Sequence, residues 1–143
     1  MIISFSVPGA PRGWARARLA KGGAHHFTDA KTAAFKDSVA FWATEALKAR
    51  DAAGMMKGPV SVTIKSYFPI AASLSAKKRN ALDHAPATRR PDADNLAKAV
   101  LDALNGVLYA DDVQVTTLIV HKIFHEEPST WVQVISSDIQ EML

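Results

Sequence analysis

The segment from Pro91 to Asp112 constrains the fold most. After Pro91 its apolar residues recur at helical spacing, which predicts a helix that ends near Gly106. At about 100° per residue, one polar stripe of this helix contains Asp94, Lys98, Asp102 and Asn105. The opposite, apolar face should be buried and contains Leu96, Val100, Ala103, Leu104 and Val107. Gly106 is well placed to end the helix in a left-handed conformation.

The connection after this helix can return to the helix entrance. The helix climbs about 17 Å from Asp94 to Asn105, and residues 107–112 span roughly 20 Å when extended. Asp112 can therefore lie beside Asp92 and Asp94. Three close carboxylates repel one another unless a cation lies between them, and Mg²⁺ prefers hard oxygen ligands.

The sequence therefore predicts a Mg²⁺ site for phosphodiester cleavage, with Asp92, Asp94 and Asp112 as ligands. Asp111 is the alternative to Asp112, and Lys98 can pair with a ligand carboxylate or with the phosphate under attack. Each of these residues taken alone can also have a purely structural role. Carboxylates stabilise helix entrances and turns, and Lys98 can form a helical ion pair with Asp94.

The rest of the chain alternates between strand and helix patterns. Residues 2–7 are β-prone, and residues 60–68 alternate apolar with polar side chains before Pro69. Residues 31–48 have helical spacing, which places Phe35, Val39 and Trp42 on one buried face. A short helix is predicted over residues 74–82.

Two more strands are predicted at residues 113–125 and 131–135, joined by a hairpin turn at Glu126–Ser129. The fold class is therefore α+β: a mixed, largely antiparallel sheet packed with helices, in the order β-α-β-α-α-β-β. At this length one domain, residues 1–143, is the simplest organisation.

Charge is divided unevenly along the chain. Residues 1–91 hold 15 Lys and Arg against 5 Asp and Glu, whereas residues 92–143 hold 2 against 9. A basic half facing an acidic focus is typical of an enzyme that holds a polyanion, although an uneven surface without a partner is the simpler interpretation of charge alone. The candidate DNA-binding residues are Arg12, Arg16, Arg18, Lys21, Lys77, Lys78, Arg79, Arg89 and Arg90.

Several classes of function and location are excluded or disfavoured. The absence of cysteine excludes disulfides, thiolate metal sites and cysteine nucleophiles. The chain has no apolar run of about 18 residues and no signal-like start, so we expect no membrane span and a cytoplasmic location. His121 and His125 could form a zinc pair, but two histidines on one strand are more often surface or packing residues.

The acidic segment as a whole is more specific than its parts. Asp92-Ala93-Asp94-Asn95 with Lys98, then Asp102-Ala103-Leu104, then Asp111-Asp112-Val113-Gln114, resembles the RusA family of Holliday-junction resolvases. The resemblance implies a homodimeric, Mg²⁺-dependent endonuclease that nicks four-way DNA junctions symmetrically, in DNA recombination and repair. It implies metal-ligand roles for Asp92, Asp94 and Asp112, a catalytic role for Lys98, and a phage or prophage origin.

Two other functions stay open at this point. The chain could bind branched DNA through its basic half without cutting it, and that binding would be sensitive to salt. It could also be a metal nuclease that acts on other branched DNA, such as flaps or Y-forks.

Overall fold

The structure, a computed structural model, describes residues 1–14, 18–19, 26–27, 30–50 and 54–137, with the backbone alone for 18–19 and 26–27. Its strands are β1 Ile2–Pro8, β2 Arg18–Leu19, β3 His26–Phe27, β4 Val60–Pro69, β5 Val115–His125 and β6 Ser129–Ser136. Its helices are α1 Ala30–Ala49, α2 Ala76–Leu82 and α3 Ala93–Leu104. A 3₁₀ turn at Asp112–Gln114 precedes β5. This order confirms the α+β prediction, with the short β2–β3 pair added inside the basic loop.

The main sheet has the strand order β1-β6-β4-β5 and is mixed, as predicted. The pairs β1–β6 and β6–β4 are antiparallel, whereas β4–β5 is parallel. The predicted hairpin at Glu126–Ser129 is wrong, because β5 and β6 lie on opposite sides of β4. Three extended residues reach about 10 Å, which is two strand spacings, so a short connection can cross a strand as easily as it can form a hairpin.

The sheet buries one face under α1 and α3. Strand β4 shows the predicted alternation: Val60, Val62, Ile64 and Phe68 are buried, as is Ser66, whereas the alternate residues are partly exposed. Inward residues of β1, β4 and β6 form one core cluster with α1 and α3. This packing presents the polar stripe of α3 to solvent.

Helix α1 buries a face slightly different from the predicted one. Phe35 and Val39 are buried as expected, but Trp42 is 38% exposed, so that part of the prediction is wrong. At about 100° per residue the stripe that touches the sheet runs through Val39 and Ala43, which places Trp42 at its margin. The apolar periodicity overestimated the width of the buried stripe.

The described helices are too short or too polar to cross a membrane.

Candidate functional site: an acidic face of α3 beside an arginine-lined cavity

The entrance of α3 carries two exposed carboxylates. Asp92 is the N-cap residue, with extended backbone angles, and its side chain makes no capping hydrogen bond. Asp94 follows in the first turn. The positive end of the helix dipole favours negative charge at this position, and both side chains are exposed to solvent.

The loop after β1 packs directly onto this entrance. Trp14 N donates to Asn95 O at 2.8 Å. A Cβ added at Gly13 would lie 2.6 Å from Pro91 Cβ, so only glycine allows this approach. Lys98 Nζ lies 5.2 Å from the centre of the Trp14 ring. Trp14 thus supports the lysine of the acidic face, a role the sequence did not reveal.

Asp111 and Gln114 fix the turn that carries Asp112. Asp111 Oδ1 accepts from Val113 N at 3.1 Å, while Gln114 Oε1 accepts from Ala110 N and Asp111 N at 3.0 and 3.2 Å. Gln114 Nε2 donates to the carbonyls of residues 56 and 58 at 3.1 and 3.0 Å. This single amide therefore ties the turn to the segment that leads into β4.

The turn brings Asp112 back to the polar face of α3, near Asp102 and Lys98. Burial raises the pKa of Asp112, and a hydrogen bond with Asp111 raises it further. The charges of Asp111 and Asp102 act in the same direction, whereas Lys98 opposes them. The carboxylate of Asp112 therefore lies where the neighbouring negative charges outweigh the positive charge of Lys98.

Asp102, one of these neighbouring carboxylates, lies near two lysines. Its Oδ2 lies 3.7 Å from Lys98 Nζ and 4.0 Å from Lys36 Nζ. The sequence placed Asp102 on the polar stripe but gave it no part in the site. Its distance from Asp112 depends on how the return connection packs, which periodicity does not specify.

Asp92, Asp94 and Asp112 do not form a tight trio. Among the described residues, the group of three possible ligands whose donor atoms all lie within 4.8 Å of one another is Asp83, His84 and His125 instead. Asp92 and Asp94 lie at the entrance of α3, and Asp112 lies in the return turn near Asp102 and Lys98. Its donors are all hard carboxylate oxygens, which suit Mg²⁺, an ion that keeps several waters and binds substrate phosphate.

A cavity of about 500 Å³ is lined by Asp92 and by three of the predicted DNA-binding arginines. Arg12 enters it from the loop after β1, and Arg89 and Arg90 enter from the segment before α3. The Arg90–Pro91 peptide bond is cis. The cavity thus places cations directly beside the carboxylates of the helix entrance.

The predicted DNA-binding residues of α2 lie away from this cavity. Lys77 and Lys78 are exposed on α2 and do not line that cavity, and Arg79 pairs with Glu126 at 3.7 Å. Arg16, Lys21 and the Arg18 side chain lie outside the residues that the structure describes.

An acidic helix face joined to an arginine-lined cavity, on an α+β fold, defines a candidate nuclease. Residues 8–135 match the family described as Endodeoxyribonuclease RusA, and the chain belongs to this family. Membership supports an endodeoxyribonuclease that resolves Holliday junctions. The chain is also similar to the uncharacterized protein YqaN of Bacillus subtilis (strain 168), at 36% identity over 138 residues, which cover 92% of this chain and 94% of that protein.

Proposed function

We propose that the chain is a Mg²⁺-dependent endodeoxyribonuclease that resolves four-way DNA junctions by paired, symmetric nicks. The observation that carries the proposal is the shared location of the acidic and basic groups. Asp92 lies at the entrance of α3, two residues before Asp94, and also lines the cavity with Arg12, Arg89 and Arg90. A phosphodiester held by the arginines would therefore lie next to the carboxylates.

Asp92, Asp94 and Asp112 are the residues that would hold Mg²⁺. The ion, when bound, supplies a water-derived nucleophile and neutralises charge on the phosphate under attack. The raised pKa of Asp112 reflects burial and neighbouring negative charge, and this charge favours a cation at its carboxylate.

Lys98 would act on the phosphate through its own charge. Its side chain is 49% exposed, and its amine lies between the Trp14 ring and Asp102. A short shift would let the ammonium leave Asp102 and pair with a phosphate oxygen.

Arg12, Arg89 and Arg90 would position the DNA backbone. Guanidinium groups bind phosphate oxygens in bidentate geometry, and such contacts fix orientation without reading base sequence. This behaviour suits an enzyme that selects the shape of a branched substrate. Lys77 and Lys78 would extend the basic surface along α2.

A homodimer would supply two sites for two matched incisions. The first half of β5 supports this proposal, because among the residues that the structure describes it is an edge strand whose one partner strand is β4. Leu118 and Ile119 lie there, 43% and 45% exposed. Backbone groups and apolar side chains on a free edge favour pairing with a second strand.

The test is cleavage of a synthetic four-way junction with and without Mg²⁺. We expect paired nicks only with the metal, and Asp94→Asn should abolish nicking while junction binding is kept. Asp37→Asn, an exposed aspartate on α1, is the matched control and should nick normally. Cleavage that survives both Asp92→Asn and Asp94→Asn would refute the metal-site assignment.

The same assay separates the two alternatives. Salt-sensitive binding without Mg²⁺-dependent nicks would indicate a protein that only binds branched DNA. Faster cleavage of flaps or Y-forks than of four-way junctions would indicate a nuclease for other branched substrates.

A further inference from the structure

A second cluster of metal-binding side chains lies at the end of α2, outside the proposed nuclease site. The carboxylate of Asp83 lies between two imidazoles: its Oδ1 is 2.9 Å from His125 Nδ1 and its Oδ2 is 3.0 Å from His84 Nδ1. Donor atoms of the three residues all lie within 4.8 Å of one another. The nuclease proposal gives these residues no role.

Backbone hydrogen bonds hold the two histidines side by side. His84 N donates to Phe124 O at 2.8 Å, Phe124 N donates to Ala85 O at 2.9 Å, and Ala87 N donates to Lys122 O at 2.9 Å. The segment after α2 therefore runs antiparallel to the end of β5. His84 has a φ of 66°, a left-handed conformation in which histidine is enriched.

The cluster opens into a cavity of about 420 Å³. His84 and His125 line this cavity together with Tyr67 and Glu127. The two imidazole rings are 4.9 Å apart, and Tyr67 lies 5.6 Å from His125. The space admits a hydrated ion, and Glu127 is an acidic residue that lines the same cavity.

We propose that Asp83, His84 and His125 bind a transition-metal ion of the zinc class. Two imidazole nitrogens and one carboxylate oxygen are a donor set that zinc uses, whereas Mg²⁺ prefers oxygen alone. Bonds of about 2 Å to a tetrahedral ion place the donors roughly 3–4 Å apart, so small side-chain movements are sufficient. Water or Glu127 completes the coordination.

The metal would fasten α2 to the turn between β5 and β6. Asp83 is the C-cap of α2, and His125 is the last residue of β5. The Arg79–Glu126 ion pair crosses the same junction at 3.7 Å. Because α2 carries Lys77 and Lys78, the bound ion would fix the orientation of a basic helix, whatever reaction the acidic face performs.

The experiment is a Zn²⁺ and Co²⁺ titration of the full chain, followed by calorimetry and by visible absorption of Co²⁺. His84→Asn combined with His125→Gln removes both imidazoles, and asparagine tolerates the left-handed backbone at position 84. The matched control is His121→Gln, an exposed histidine on the same strand but outside the cluster. Asp92→Asn combined with Asp94→Asn, the acidic-face variant, removes two carboxylates that could bind the added metal at the proposed nuclease site.

We expect the wild type, the His121 control and the acidic-face variant to bind Zn²⁺ with similar affinity and to gain thermal stability from it. The double histidine variant should stay folded by circular dichroism and bind at least about 100-fold more weakly, because loss of an outer partner alone costs about 10–100-fold. Unchanged Zn²⁺ affinity in that variant, loss of binding in the acidic-face variant, or no binding by the wild type at micromolar Zn²⁺ would each overturn the proposal.

Discussion

Asp111 and Asp112 are neighbours in the chain, yet the fold gives their carboxylates different surroundings. Asp111 caps the 3₁₀ turn by accepting from Val113 N, so its side chain already serves the backbone. Asp112 follows it into the space near Asp102 and Lys98. A sequence cannot distinguish two adjacent aspartates in this way, because which one caps depends on the backbone angles of the turn.

This difference makes a paired substitution informative. We expect Asp112→Asn to abolish Mg²⁺-dependent nicking, since a proposed metal ligand loses its charge. Asp111→Asn should retain nicking within about tenfold, because asparagine also caps helical turns well. Both variants would be compared at saturating Mg²⁺ on the same junction. The reverse order of effects would assign the ligand role to Asp111.

Tyr109 gives a prediction for stability at high pH. It is fully buried, and its hydroxyl donates to Leu101 O at 3.0 Å. Burial raises the pKa of Tyr109, and the charges of Asp112, Asp102 and Asp111 raise it further. The folded protein therefore keeps the phenol protonated at a pH where the unfolded chain ionises it. This contribution is complete below about pH 10 and is lost as the pH rises above that value.

Tyr109→Phe should therefore be less stable than the wild type by about 1 kcal/mol at pH 8, because the hydrogen bond to Leu101 O is lost. The difference should shrink above pH 10, since only the wild type loses stability through this phenol. Urea unfolding of both proteins at pH 8 and pH 11 measures the two differences. A gap that widens at pH 11 would contradict the assigned direction of the pKa shift.

At the scale of elements, the turn between α3 and β5 decides where the acidic residues meet. Helix periodicity predicted the polar stripe of α3 and its end near Gly106, which has a φ of 75°. It did not predict the role of Gln114, because the carbonyls that receive its amide belong to Met56 and Gly58, far away in sequence. Only the folded chain brings those groups together.

Gln114→Ala should loosen this turn. Four hydrogen bonds are lost, and a net cost of about 1–3 kcal/mol is expected after water replaces some of them. Nicking should fall further than stability alone explains, since Asp112 loses its fixed position. Thermal unfolding and single-turnover nicking below the melting temperature separate the two effects. Thr116→Ala, which removes a weaker contact of 3.4 Å to Val60 O, is the control and should change both little.

At the scale of the whole molecule, the strand order decides which surface is free. The sequence suggested a β5–β6 hairpin, which would have covered one edge of β5. Instead β4 lies between them and β5 ends the strand order, so the first half of β5 is a sheet edge within the described part of the chain. Residues 84–87 pair with its second half. Turn residues specify a change of direction but carry no information about which strand becomes the neighbour.

Ile119→Lys should therefore convert the proposed dimer into a monomer, because an inserted lysine on an edge strand opposes pairing. Ile135→Lys is the matched control: Ile135 is 38% exposed but lies on β6, which already has a partner strand on each side. Light scattering after size-exclusion chromatography gives the mass of each variant. A monomeric wild type, or a dimer unaffected by Ile119→Lys, would argue against this edge as the interface.

The sequence by itself determined the elements and the chemical character of the acidic face. Alternation in β4, the polar stripe of α3 and the order of elements depend on local periodicity, which holds wherever a helix or strand packs one face against a core. The tertiary structure alone placed Asp102 near Asp112, Gln114 on distant carbonyls, and His125 beside Asp83 and His84. These contacts join residues far apart in sequence, and their distances follow from sheet order and core packing, which no local pattern records.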